Sequence, residues 1–188
     1  QFMVDFTYNS NAIEGNTLTL QETSMVLEGM TIDQKPLKDH LEAVGHRDAF
    51  LYVEDIAKDT KLSEAIIKNI HSLVLLNRPE DKGTFRRIPV AISGAYTEPV
   101  QPYMIEPKMT ELLLDNEKRK KDMHPIERIA RFHLEFEGIH PFIDGNGRSA
   151  RGFLNKLLED AGLPPVYITL AEKDEYCVAM GKAIGDED

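Results

Sequence analysis

The chain has 188 residues, 41% of them hydrophobic and 29% charged, with a formal net charge of −10. That length suits one domain burying about two-thirds of its unfolded surface, and the composition excludes a disordered tail. The acidic balance argues against a general affinity for nucleic acid or anionic lipid, and no apolar run approaches the ~18 residues of a membrane span.

A single cysteine, Cys177, excludes an internal disulfide framework and points to a reducing cytoplasm. No signal-peptide pattern opens the sequence. It begins at Gln1 rather than methionine, which fits a fragment as well as a trimmed chain.

On a helical wheel over residues 2–14, Phe2, Met3, Phe6, Ser10, Ile13 and Glu14 share one arc, opposite Val4, Tyr8, Asn11 and Ala12. Gly15 is an ordinary helix stop. Glu14 therefore sits at the rim of a packed face, where a carboxylate needs a cationic partner. Thr19-Leu20-Gln21-Glu22 is a capping-box pattern opening a short helix that runs out near Gly29. After Pro36, Leu37, Leu41, Val44, Leu51 and Ile56 recur at mostly helical spacing. Ser63 caps a further helix with Ile66, Ile67, Ile70 and Val74 on its apolar face.

Residues 86–100, RRIPVAISGAYTEPV, alternate Ile88, Val90 and Ile92 and then turn at Ser93-Gly94. This predicts a small β-hairpin, with Pro89 confining it to an edge. The polar stretch 99–107 reads as a loop, and Lys118-Arg119-Lys120-Lys121 as a solvated helix end. Pro125 opens a helix carrying Ile126, Ile129, Ala130, His133 and Phe136. After Gly147, Ala150, Phe153, Leu154, Leu157, Leu158 and Ala161 form the clearest stripe, stopped by Gly162 and Pro164-Pro165. His71 and His133 lie on apolar faces and read as packing residues, His133 also as a support behind the neighbouring loop. Cys177 reads as an inert buried thiol. The expected fold is all-α, one domain with a β-hairpin flap.

Between the last two helices lies HPFIDGNGRSAR, residues 140–151. Gly145-Asn146-Gly147 leads into a helix start, where successive N–H groups form an anion-binding nest. Arg148 and Arg151 add two cations suited to a polyphosphate. Asp144 would repel a phosphate unless a divalent cation such as Mg²⁺ sat between them. His140 is able to accept a proton near neutral pH. Each feature has a bland reading: a structural histidine, an ordinary turn. Two arginines at a helix start oppose the helix dipole, so they make more sense as anion ligands than as decoration.

The stretch resembles the signature of the Fic family, His-x-Phe-x-(Asp/Glu)-Gly-Asn-Gly-Arg-x-x-Arg, at every defined position. The lead-in HLEFEGI and the upstream hairpin are also similar to the family's. The resemblance implies transfer of AMP from ATP to a Ser, Thr or Tyr hydroxyl of a target protein. On that basis His140 takes the hydroxyl proton and Asp144 holds Mg²⁺. Asn146, with the backbone of Gly145 and Gly147, positions the phosphates, which Arg148 and Arg151 contact. Phe142 anchors the loop in the core. The flap, Val90, Ala91, Ile92, Ser93 and Gly94, would pair with an extended target segment.

Ser10 to Gly15 also resembles the family's inhibitory helix, (Ser/Thr)-x-x-x-Glu-(Gly/Asn). This implies a class II arrangement: residues 1–30 carry an inhibitory helix packed on a catalytic core of residues 31–188, and Glu14 pairs with Arg151 in the γ-phosphate position. The implied partners are a hydroxyl-bearing protein, with self-modification and a homo-oligomer left open; neither nucleic acid nor membrane is expected. Two other readings share the motif: removal of AMP or use of another donor, and a non-catalytic nucleotide-sensing module.

Overall fold

The computed structural model describes residues 1–56, 58–92 and 98–185. Eight α-helices run through them: α1 (Phe2–Ile13), α2 (Leu20–Leu27), α3 (Leu37–Asp55), α4 (Glu64–Val74), α5 (Ile105–Arg119), α6 (Pro125–Ile139), α7 (Asn146–Asp160) and α8 (Lys173–Gly185). The local signals act as chemistry requires. Thr19 and Glu22 form the reciprocal capping box of α2. Ser63 Oγ accepts the Ile66 N–H at the start of α4. Pro107 sits within the first turn of α5, where a missing N–H breaks no helical bond, so that helix begins inside the stretch expected to be loop.

α7 lies at the centre because its stripe is apolar on the side facing four neighbours. Phe153 meets Phe136 of α6 edge-to-face with centroids 4.7 Å apart, and Phe132 at 5.5 Å. Ile67, Ile70 and Val74 of α4, Met109 and Leu112 of α5, and Ala49 and Val53 of α3 complete the core. α3 and α4 approach so closely that a Cβ on Gly45 would lie 2.3 Å from the Leu73 carbonyl oxygen. No helix among the described residues is long and apolar enough to cross a membrane.

α1 packs on α2, α3 and α7. Phe6 is buried and meets the His46 ring edge-to-face at 4.5 Å, and Phe2 reaches Phe50 and Tyr167. Asn9 Oδ1 accepts the Leu170 N–H at 2.8 Å. One wheel assignment is corrected. Asn11 is buried on the α3 side, where its amide donates to the Thr7 carbonyl at 3.0 Å and the Glu42 carbonyl at 3.4 Å. A polar contact to the α3 backbone thus adds to the apolar stripe in seating this helix.

Two other expectations are corrected. Cys177 is exposed, because α8 covers the core only with its Tyr176 side. The described parts of the segment 86–100, residues 86–92 and 98–100, form no strand. Arg86 instead donates from its guanidinium to the Ile88 and Val100 carbonyls, at 3.0 and 2.6 Å. Ser93 and Gly94, the expected turn, lie outside the described residues.

Candidate active site

α6 ends at His140, which adopts a left-handed conformation with φ 51° and ψ 61°. Such a backbone is disfavoured for a residue with a Cβ and is held by its surroundings. Arg86 supplies much of the restraint: Nε donates to the His140 carbonyl at 2.7 Å, Nη2 donates to the Ile139 carbonyl at 3.3 Å, and the Arg86 N–H donates to the Pro141 carbonyl at 2.9 Å. One buried guanidinium thus ties the base of the flap segment to the backbone carrying His140.

The loop after His140 is clasped from inside. Phe142 is fully buried and stacks on His71, rings 6° from parallel with centroids 3.6 Å apart. His71 Nδ1 accepts the Gly83 N–H at 2.8 Å, which fixes the proton on Nε2, and Nε2 donates to the Asp144 carbonyl at 2.8 Å. Burial pushes the His71 pKa down to about 4, so the ring stays neutral in this clasp. The residue expected only to pack is therefore a loop support.

Asn146 Oδ1 accepts the Phe142 N–H at 2.9 Å and Nδ2 donates to the Phe142 carbonyl at 2.8 Å. Its side chain thus braces the loop through Oδ1 and one of its two amide hydrogens. Its main-chain N–H lies in the first turn of α7. Gly145 caps α7 without a side-chain bond, leaving the first-turn N–H groups free of helical acceptors. Gly147 follows on that turn, and a Cβ there would lie 2.6 Å from Glu14 Oε1 and 3.0 Å from Arg151 Nη1.

Both motif arginines are buried at this end of α7. Arg151 Nε donates to Ser10 Oγ at 2.9 Å, and Nη2 donates to the Ser10 carbonyl at 2.9 Å and to Glu14 Oε1 at 2.7 Å. Burial works against the Arg151 charge, but Glu14, Tyr176 and Glu137 outweigh it and raise its pKa. Arg148 Nη1 lies 3.1 Å from Glu42 Oε1 and Nη2 lies 3.4 Å from Asp144 Oδ1. Glu42 Oε2 also accepts from Asn16 Nδ2 at 3.0 Å. A second carboxylate, unforeseen from sequence, thereby joins Arg148 to the turn after α1.

Asp144 is 40% exposed at its side chain. Its Oδ1 accepts the Gly145 N–H at 2.7 Å, whereas none of the described hydrogen bonds engages Oδ2. His140 is half-buried, and burial, ahead of every other influence, lowers its pKa and favours the neutral, proton-accepting ring. Of the flap residues described, Ala91 is exposed and Val90 and Ile92 are half-buried. His133 Nε2 lies 2.7 Å from the Tyr176 hydroxyl, a support behind Arg151 rather than behind the loop.

Glu42, Arg86 and Tyr176 act across long sequence separations that give no local signal. Glu137 is different: it stands three residues before His140, and that helical spacing places the two on one side.

A model of the Fic/DOC family matches residues 61–158. The chain is 37% identical over 183 residues to "Protein adenylyltransferase Fic" of Nematostella vectensis, covering 94% of this chain and 42% of that protein. It is 35% identical over 188 residues to "Protein adenylyltransferase fic-1" of Caenorhabditis elegans, covering 96% and 37%. It thus spans about two-fifths of the length of these relatives. Among solved structures, Fic-1 from C. elegans superposes with a TM-score of 0.88 at 32% identity, covering 99% of this chain and 57% of that one. A Fic-domain-containing signalling protein from Bacteroides thetaiotaomicron gives 0.87 at 31%, covering 95% and 70%.

Proposed function

We propose that this chain, which belongs to the Fic/DOC family, transfers AMP from ATP to a hydroxyl side chain of a protein and is restrained by its own Glu14. The observation that carries the reading is the Glu14–Arg151 pair at the N-terminal end of α7, beside the first-turn N–H groups and a second buried arginine, Arg148.

In this reading the triphosphate lies along the turn 145–147. The main-chain N–H groups there hold phosphate oxygens and stabilise charge in the transition state, and Arg148 and Arg151 contact the β- and γ-phosphates. His140 accepts the proton as the hydroxyl oxygen attacks the α-phosphorus and pyrophosphate leaves. With Glu14 on Arg151, the γ-phosphate is denied its cation and the nucleotide is kept from the reactive pose. The segment bearing Val90, Ala91 and Ile92, tied to the His140 backbone through Arg86, docks the target chain.

Asp144 fits a Mg²⁺ ion: it is an accessible carboxylate beside the phosphate cradle, and none of the described hydrogen bonds engages its Oδ2. Among the described residues no cluster of three or more His, Cys, Asp or Glu side chains could hold a metal, so the other donors would be phosphate and water oxygens. Bound there, the ion would offset the negative charge between Asp144 and the phosphates.

Mass spectrometry of cell lysate incubated with the protein, ATP and Mg²⁺ tests the reaction. The expected result is a protein gaining the mass of one AMP on a Ser, Thr or Tyr. Nucleotide binding with no AMP gained by any protein, including this chain, would favour a non-catalytic sensor.

A further inference from the structure

Glu137 carries a largely buried carboxylate that none of the hydrogen bonds above employs. It lies near the end of α6, and its Oε2 is 4.0 Å from His140 Nδ1, with the two side chains only 14% and 20% exposed. Among the described residues Glu137 Oε1 and His140 Nδ1 are buried atoms with no hydrogen-bond partner of good geometry, although the ring also meets the Glu137 main-chain carbonyl. Two unpaired polar atoms in one low-dielectric place are costly unless each serves the other.

We propose that Glu137 is the positioning residue for His140: its carboxylate takes the Nδ1–H, turns Nε2 toward the incoming hydroxyl, and supplies the counter-charge for the imidazolium formed during transfer. The hydroxyl oxygen forms a bond to the α-phosphorus while the bond from that phosphorus to the β-bridging oxygen breaks. The electron pair leaves with pyrophosphate, and the hydroxyl proton moves to His140 Nε2. Nδ1 keeps its own proton, and closing the gap to Glu137 strengthens that contact as positive charge develops on the ring.

The surrounding charges make the carboxylate responsive to the inhibitory residue. Burial, first, raises the Glu137 pKa to about 7; Arg151 from α7 opposes this and Glu14 from the end of α1 reinforces it. Tyr176 of α8 also faces this group. Around His140, after burial, a hydrogen bond to the Glu137 main-chain carbonyl favours the charged ring, Arg86 disfavours it, and Glu14 and Asp144 favour it. Removing Glu14 takes away a charge that raises the Glu137 pKa and leaves Arg151, still held by Ser10, to favour the ionised carboxylate. The inhibitory carboxylate therefore acts twice, on the γ-phosphate cation and on the partner of the base.

The kinetic part rests on AMP transfer as proposed above; the titration does not. In a Glu14→Gly background, the His140 imidazole is titrated by NMR with and without Glu137→Gln, the resonance being assigned by its loss in His140→Ala. With the carboxylate serving Nδ1, the midpoint should fall by about one pH unit when that carboxylate is removed. An unmoved midpoint overturns the proposal, since Gln leaves the Glu137 carbonyl in place. In kinetics, Glu137→Gln should lower kcat about tenfold and move the acidic limb of its pH profile down, with the KM for ATP unchanged. Glu137→Asp should restore part of kcat. Unchanged kcat, or a loss confined to KM, also overturns it. A shifted titration with no AMP transfer in any variant would leave the Glu137–His140 pair standing and remove the transferase reading.

Discussion

Glu14 Oε1 accepts a 2.7 Å hydrogen bond from Arg151 Nη2 across 137 positions of chain. The contact exists because Phe6, Thr7 and Asn11 seat α1 against α3 and present its last turn to the start of α7. Breaking a fully buried ion pair costs about 3–5 kcal/mol. Glu14 is 40% exposed at its side chain, so this pair belongs at or below the lower end. A hundredfold restraint on a competent pose needs only about 2.7 kcal/mol.

Ser10 shares the hold on Arg151, but through one neutral oxygen and one carbonyl. Ser10→Ala removes the bond to Nε and leaves the carbonyl and Glu14 in place. AMP transfer by Ser10→Ala should rise several-fold, for a loss of about 1 kcal/mol, and remain below that of Glu14→Gly. Equal activation by the two would show that the hydroxyl, not the charge, sets the restraint.

Arg148 and Glu42 are both buried, and removing either leaves the other without its main counter-charge. Glu42→Gln and Arg148→Met should each lower stability by about 3 kcal/mol. The double variant should lose less than the sum of the singles. Urea unfolding of the four proteins measures this, and additive losses would mean that the pair is not coupled.

Arg86 donates to four carbonyls from a buried position. Arg86→Met leaves them without that donor and should destabilise the chain by about 3 kcal/mol. At temperatures where the variant remains folded, His140 loses its backbone restraint and kcat for AMP transfer should fall at least about tenfold. Circular dichroism and single-turnover kinetics separate the two effects.

The buried histidines set the acid limit. Burial pushes the pKa of His46 to about 3 and those of His71 and His133 to about 4. Below pH 6.5 the unfolded chain binds protons that these rings do not, so their contribution is complete above that pH and is lost as pH falls toward 4. It is on the order of 3 kcal/mol for each. Glu137 has the opposite sign: its raised pKa favours the folded chain at low pH, and that contribution is lost as pH rises through about 7. Three groups outweigh one, so the urea midpoint should be lower at pH 4.5 than at pH 7. A flat or rising midpoint on acidification would contradict this.

The elements legible in the sequence were those whose signal is local. The capping box of α2, Ser63 before α4, Pro125 before α6 and the apolar stripe of α7 all act within a few residues. The resemblance of residues 140–151 and 10–15 to the Fic signature and its inhibitory helix likewise led to the Arg151–Glu14 pairing. The partners of Arg148, His140 and Asn11 were hidden because Glu42, Arg86 and the α3 backbone reach them only in the folded chain. Alternation in Ile88, Val90 and Ile92 suggested a ladder, but a buried guanidinium instead donates to the Ile88 and Val100 carbonyls. The wheel also failed for Asn11, since a polar residue packed by hydrogen bonds carries no hydrophobic signature.

The most direct measurement is the initial rate of labelled AMP incorporation from ATP into protein by the unaltered chain, Glu14→Gly, His140→Ala and the double variant. The account predicts a rise on the order of a hundredfold for Glu14→Gly, and none for either protein lacking His140. A rate unchanged by Glu14→Gly, while His140→Ala is silent, would contradict it.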